Sequence, residues 1–402
     1  MFAIKNATLY TVTGGIIENG TILIDKSKIV GVGNKIKIPA KTKVYDGTGL
    51  SITPGFIDAH CHVGIFNEGT GEAGNDGNDF SNPLTPQVKA ADGIYPEDEA
   101  FDDALQHGVT TLCIGPGSAN VIGGQMAVVK PRSYILDEML ITDYVGLKCA
   151  FGENPKRVYG SKGVMPTTRM GVAAMLRKAL NEAKTYSVKQ EFKRQKALAA
   201  KKKKKKKGEE PEIPEPVTPE YDKEVVLEVL EGKKSLRAHA HRMDDIQTAI
   251  RIAEEFGVNI VIEHCTEGYK IAKYLAKKNI SVIIGPMNGT KPKVELKDAT
   301  LENARMLEKA GVHFAIMTDA PVERIGSLWD NVRLAMRFGL SREGGLEAIT
   351  IRPARILGMD DKLGSLEVGK DADLAIFDGD AYDFMAKIKA TVIDGKFSYG
   401  KL

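Results

Sequence analysis

From Pro54-Gly55 to about residue 361 the sequence repeats one pattern, a short apolar run followed by an amphipathic stretch, and this alternation constrains the fold more than any other feature. The runs are Val109 to Ile114, Val145 to Phe151, Leu236 to Ala240, Val258 to Glu263, Ile280 to Ile284 and Val312 to Thr318. Strand and helix in repeated alternation predict βα units around a parallel sheet. After Arg242 the helical half is plain: Asp244 and Asp245 are acidic N-terminal positions, Ile246, Ala249, Ile250, Ala253 and Phe256 recur at three- and four-residue spacing, and Gly257 ends the run. Residues 55–361, less an insertion at about 187–222, approach the ~250 residues of a closed eight-stranded barrel.

The two chain ends read differently. Phe2 to Thr11, Gly20 to Asp25, Lys28 to Val32 and Lys43 to Tyr45 are short strands with Asn19-Gly20 and Asp46-Gly47 turns, and β signals return at Asp373 to Phe377 and Thr391 to Asp394. Neither piece can bury a core alone, so residues 1–54 and 362–402 are expected to pair as a small composite β-sandwich. The expected fold is therefore α/β, a (β/α)8 TIM barrel carrying a β-sandwich built from both termini.

The insertion at 187–222 is lysine-rich, runs through seven consecutive lysines at Lys201 to Lys207, and ends in a Glu/Pro segment. It reads as a solvated helix leading to a linker. The chain's formal charge of +3 resides in that lysine run, and the remainder is slightly acidic. Five glutamates follow between Glu209 and Glu220 and no aromatic residues interleave, so no nucleic-acid partner is expected. Four scattered cysteines suit a reducing cytoplasm, the start of the chain lacks signal-peptide character, and no run approaches the ~18 apolar residues of a membrane span. The expected partner is a small-molecule substrate, with self-association left open.

The chemistry concentrates at strand ends. In Asp58-Ala59-His60-Cys61-His62, alternation on a strand puts both imidazoles on one face. His239 and His241, His264 and Asp319 sit where further strands end, and in a barrel those ends share one rim. Imidazoles and a carboxylate gathered on a rim are a metal-ligand set.

These spaced signals resemble the amidohydrolase superfamily, in particular its imidazolonepropionase-like branch, which is similar to the metal-dependent Xaa-Pro dipeptidases and carboxypeptidases. The resemblance runs from Gly20-Thr21-Ile22-Leu23-Ile24-Asp25 to Leu363-Gly364-Ser365 through Asp373-Leu374. It implies one or two divalent ions, zinc foremost. His60, His62 and Asp319 would hold the more buried ion, and His239 and His264 the other. Glu153 would be the bridging acid, with a carboxylated Lys148 as the alternative. His241 and Arg242 would bind substrate, Arg242 by clamping a carboxylate. One departure stands out: Thr318-Asp319 continues into Ala320-Pro321, where the subgroup has His-Pro, and this touches specificity more than hydrolysis.

The implied activity is hydrolysis of a C–N bond in a cyclic amide, an acylated amine or a short peptide. A divalent cation lowers the pKa of water towards ~7, and Asp319 would shuttle the proton to the leaving nitrogen. The nearest rival enzyme is a deaminase of a ring amidine. A rival from another class is a non-catalytic, metal-stabilised binding protein using Lys201 to Lys207.

Overall fold

The computed structural model describes residues 1–207 and 218–402, the side chains of 200–207 excepted. Two eight-stranded sheets organise the chain. The first is made from both termini: β1 (Phe2–Tyr10), β2 (Ile16–Asp25), β3 (Lys28–Gly33), β4 (Lys43–Asp46) and β5 (Ser51–Pro54). The barrel sheet follows as β6 (Phe56–Cys61), β7 (Val109–Ile114), β8 (Ile122–Val129), β9 (Leu140–Ala150), β10 (Ser235–Ala240), β11 (Ile260–His264), β12 (Ser281–Ile284) and β13 (Phe314–Ile316). β14 (Leu374–Phe377), β15 (Ile388–Ile393) and β16 (Lys396–Gly400) complete the terminal sheet.

That sheet runs β16-β15-β14-β5-β1-β2-β3, with β4 also pairing β1. β14 lies antiparallel to β5, so the strand leading into the barrel is zipped to a strand 320 residues later, Pro54 opposite Leu374. Its inner faces form an apolar cluster of their own that includes Ile4, Leu9, Ile22, Ile52, Leu374 and Val392.

The barrel strands are near-continuous apolar runs because both faces are covered, β7 being buried at every residue. One strand breaks the expected all-parallel order. β8 runs antiparallel to both β7 and β9, so seven strands share one direction and one is reversed. It is absent from the strands expected from the sequence, and Gly123-Gly124 lie at its start. At Gly124, φ is +136° and a Cβ would lie 2.4 Å from the Val88 carbonyl oxygen, so the glycine lets a neighbouring segment pass close by.

Between β13 and β6 the described residues form no ladder, and side chains stitch the seam. Buried Asp58 accepts from Thr318 Oγ1 at 2.6 Å and Thr318 N at 3.0 Å, while His62 N donates to Ala320 O at 2.8 Å. These bonds fix Asp319 beside the β6 histidines.

The expected insertion begins inside a long helix, Arg169–Lys207. The helix packs through Val172, Leu176, Leu180 and Ala183, and beyond Tyr186 its side chains are mostly exposed as far as residue 199. The Glu/Pro segment of 208–217 lies outside the described residues, as do the lysine side chains of 201–207. Among the described residues no helix is long and apolar enough to cross a membrane.

Candidate metal centre

Six side chains converge at one end of the barrel. His60, His62 and Asp319 form one group and His239, His241 and His264 another, each offering ligand atoms within 4.8 Å of one another. All six residues are buried. The groups adjoin, since the His264 ring centroid lies 4.3 Å from that of His239 and 5.7 Å from that of His60.

Hydrogen bonds behind the rings set which nitrogen points inward. His62 Nδ1 donates to Gly115 O at 2.6 Å and His264 Nδ1 to Gly285 O at 3.0 Å. A ring nitrogen that donates to a carbonyl leaves Nε2 as a lone pair for a cation. His241 Nδ1 pairs with Thr266 Oγ1 at 2.7 Å, again leaving Nε2 free. Both His239 nitrogens, His241 Nε2 and Asp319 Oδ1 are buried without a hydrogen bond among the described residues. Asp319 Oδ1 stands 3.3 Å from Nε2 of both His60 and His62, close but not aligned for hydrogen bonding, as when atoms face a common point. Buried polar atoms without partners are costly, and a divalent cation satisfies this donor set.

The protonation states agree. Burial, with the neighbouring imidazoles, holds His239 and His241 well below the ordinary histidine value, and burial takes His264 down to about 3. These rings are therefore neutral at physiological pH, the form that ligates. Burial alone would raise Asp319, but the surrounding imidazoles, His264 first, hold its carboxyl well below the usual range.

The two candidates for the bridging position differ sharply. Lys148 Nζ is buried in the barrel, 3.2 Å from His60 Nε2 and 2.9 Å from Glu263 Oε2. Glu153 starts the helix Glu153–Gly160, its backbone N–H donates to Glu295 at 3.0 Å, and it belongs to neither ligand group. Arg242 also stands apart. Its Nε and Nη2 each reach Asp244 at 2.9 Å, and it does not line the cavity above the centre, whereas His241 does.

Two buried residues of the centre escaped the sequence reading. Glu263 is fully buried and takes Lys148, Arg237 Nε at 2.9 Å and His60 Nδ1 at 3.1 Å, and these cations hold its carboxylate well below the ordinary value against the effect of burial. Arg237 also donates to Ala59 O at 2.7 Å. A signal existed: Lys148, Arg237 and Glu263 are single charges inside otherwise apolar runs on three adjacent strands, and buried charge is expensive unless paired.

Above the centre opens a cavity of about 910 Å³, lined among others by the Gly117–Ala119 loop, Asn154, Arg157 and Lys293.

Comparison with known proteins agrees with this geometry. Residues 51–398 match the family described as "Amidohydrolase family". The amidohydrolase tasK of Hapsidospora irregularis is 27% identical over 94% of this chain, which spans only 39% of that protein's length. An imidazolonepropionase of Mesorhizobium japonicum is 25% identical, covering 93% of this chain and 91% of its own. Among solved structures, an amidohydrolase from Thermotoga maritima MSB8 superposes over the full length of both chains with a TM-score of 0.92 at 43% identity. A matched span from the last strand before the barrel to the last strand of the terminal sheet, over a rim of histidines and one aspartate, makes this chain a member of the amidohydrolase family.

Proposed function

We propose that this chain, a hydrolase of carbon–nitrogen bonds, cleaves an acylated amine, a short peptide or a cyclic amide, with His60, His62, His239, His264 and Asp319 holding one or two divalent cations, zinc foremost. The observation that carries the reading is the set of buried imidazole nitrogens and one carboxylate oxygen with no hydrogen-bond partner among the described residues. When bound, the cations supply hydroxide at neutral pH and polarise the scissile carbonyl. Asp319, anionic and at the mouth of the inner group, takes the proton of the attacking water and passes it to the departing nitrogen. His241, on the cavity wall with Nδ1 tied to Thr266, presents Nε2 to substrate.

For the bridging acid, the distances favour Lys148, carboxylated on Nζ, over Glu153. In the unmodified chain its ammonium rests on Glu263, so the same carboxylate holds the lysine in place before modification. The terminal sheet is read as a small sandwich closed over its own apolar cluster, and the division into residues 1–54 with 362–402 and 55–361 is read with it.

Elemental analysis of the purified protein, coupled to a hydrolysis screen over dipeptides, acyl-amino acids and cyclic amides with and without chelator, tests the reading. Turnover that follows divalent content supports it; equal turnover by metal-free protein ends it. Deamination of a ring amidine is the second reading, supported by a 5-methylthioadenosine/S-adenosylhomocysteine deaminase of Desulforudis audaxviator at 24% identity over 93% of this chain. Ammonia release separates the two.

A further inference from the structure

The cavity wall carries an uneven charge. Its acids are Asp319, which belongs to the centre, and Glu323, whose oxygens are taken by Asn288 N at 2.6 Å and Asn331 Nδ2 at 2.5 Å. Its cations are Arg157, Lys291 and Lys293. Lys291 Nζ donates to Lys297 O at 2.8 Å, and Lys293 Nζ stands a loose 3.5 Å from Glu295 Oε1. Arg157 is exposed to the cavity and has no side-chain partner among the described residues. Among the described residues, Arg157 therefore offers the cavity a positive charge with no carboxylate on it, and Lys293 offers one held only loosely by Glu295.

A second observation locates the neighbouring group of the ligand. Asn154 and Arg157 are three residues apart on the helix Glu153–Gly160 and both line the cavity, so they share a face. Asn154 Nδ2 donates to Ser118 Oγ at 2.7 Å, which orients the amide and leaves Oδ1 buried with no donor. A guanidinium beside an acceptor that lacks its N–H matches an amide nitrogen bearing a carboxylate on the adjacent carbon. Phe66, Phe80, Met287 and Val322, which also line the cavity, suit an apolar side chain.

Resting on the hydrolase reading above, we propose that the substrate is an N-acyl amino acid or a dipeptide with a free carboxylate, held by Arg157 and Lys293, with its scissile N–H on Asn154 Oδ1. This transfers to Arg157 and Lys293 the clamp that the sequence assigned to Arg242, which is spent on Asp244. In the reaction the acyl carbon–nitrogen bond breaks, water oxygen bonds to the acyl carbon, and the nitrogen leaves protonated as the free amino acid.

The test compares N-acetyl-L-leucine with N-acetyl-L-leucinamide, which differ only in that negative charge. The wild-type protein is expected to prefer the acid in kcat/KM by about 10-fold or more, and the Arg157→Gln/Lys293→Gln variant to show a preference below about threefold, because a charge-assisted clamp lost from the ligand side and from the protein side removes the same interaction. Asn154→Ala is expected to slow the acid and the amide alike, since both carry the N–H. Calorimetric binding of the same two compounds to metal-loaded protein provides a readout independent of turnover. Tighter binding of the acid by about 10-fold, lost in the double variant, upholds the clamp even if neither compound is hydrolysed, in which case only the hydrolase reading falls. Equal handling of acid and amide by the wild type, or a preference that survives the double variant, overturns the proposal.

Discussion

Three clusters of acids and histidines among the described residues have the spacing of a metal site, and two of them behave unlike the third. Beneath the barrel, Asp371, Asp373 and Asp394 surround buried Lys130, whose Nζ lies 2.9, 2.8 and 2.7 Å from them, with Arg132 also on Asp394. The chain supplies the cation there itself. At the opposite rim the candidate donors are mostly imidazole nitrogens, two of them on rings whose Nδ1 already donates to a backbone carbonyl, and buried Lys148 is drawn onto Glu263. Geometry of spacing is common to both places. What separates a structural charge knot from a metal centre is whether the donors already face a cation of the protein's own.

The sharpest way to break that contrast is to disable each cluster and ask what fails. Asp319→Asn is expected to lower kcat/KM by about 10⁴-fold with little change in the thermal transition, because it removes a proton shuttle and leaves packing intact. Lys130→Met is expected to do the reverse. It leaves buried Asp373 without its cation and takes one of two cations from each of Asp371 and Asp394, and should cost about 3–5 kcal/mol, read as a lower denaturation midpoint at unchanged divalent content. A Lys130→Met protein that gains a metal ion at the foot would instead show that the acidic cluster ligates once its lysine is gone.

Smaller effects sharpen the comparison inside the rim. Lys148→Met should reduce hydrolysis about 100-fold and the divalent content with it, whereas Glu153→Gln should stay within about threefold, as expected for a metal ligand against a group outside the ligand set. The reverse order would restore Glu153 as the bridging acid. Smallest of all, deletion of Lys201 to Lys207 should change kcat/KM by less than about twofold, as the sequence reading of a solvated insertion expects.

The distribution of what the sequence made legible follows from physics. Strands such as Val109–Ile114 were plain because a buried parallel strand is an unbroken apolar run, and the rim group of candidate ligands was plain because its histidines fall at strand ends that share one face of a barrel. β8 was missed because Gly123 and Gly124 interrupt its apolar run, although the strand pairs with both β7 and β9. For Arg242 the sequence does not show that Asp244, two residues away, takes its guanidinium, because that pairing is decided by side-chain geometry. Glu263 and Arg237 carry their meaning only through register: Arg237 lies opposite Lys148 on β9, and His239 opposite Glu263 on β11, pairings that join strands some 25 to 90 residues apart.

The central claim is that the histidine rim, and not the aspartate cluster at the foot, holds the metal on which hydrolysis depends. Elemental analysis of the wild type, a His239→Ala/His264→Ala variant and an Asp371→Asn/Asp394→Asn variant, each assayed for C–N hydrolysis, tests it directly. The account predicts that divalent content and turnover fall together in the histidine variant and that the folded aspartate variant keeps its metal. Metal content that follows the aspartates, or full turnover by the histidine variant, would contradict it.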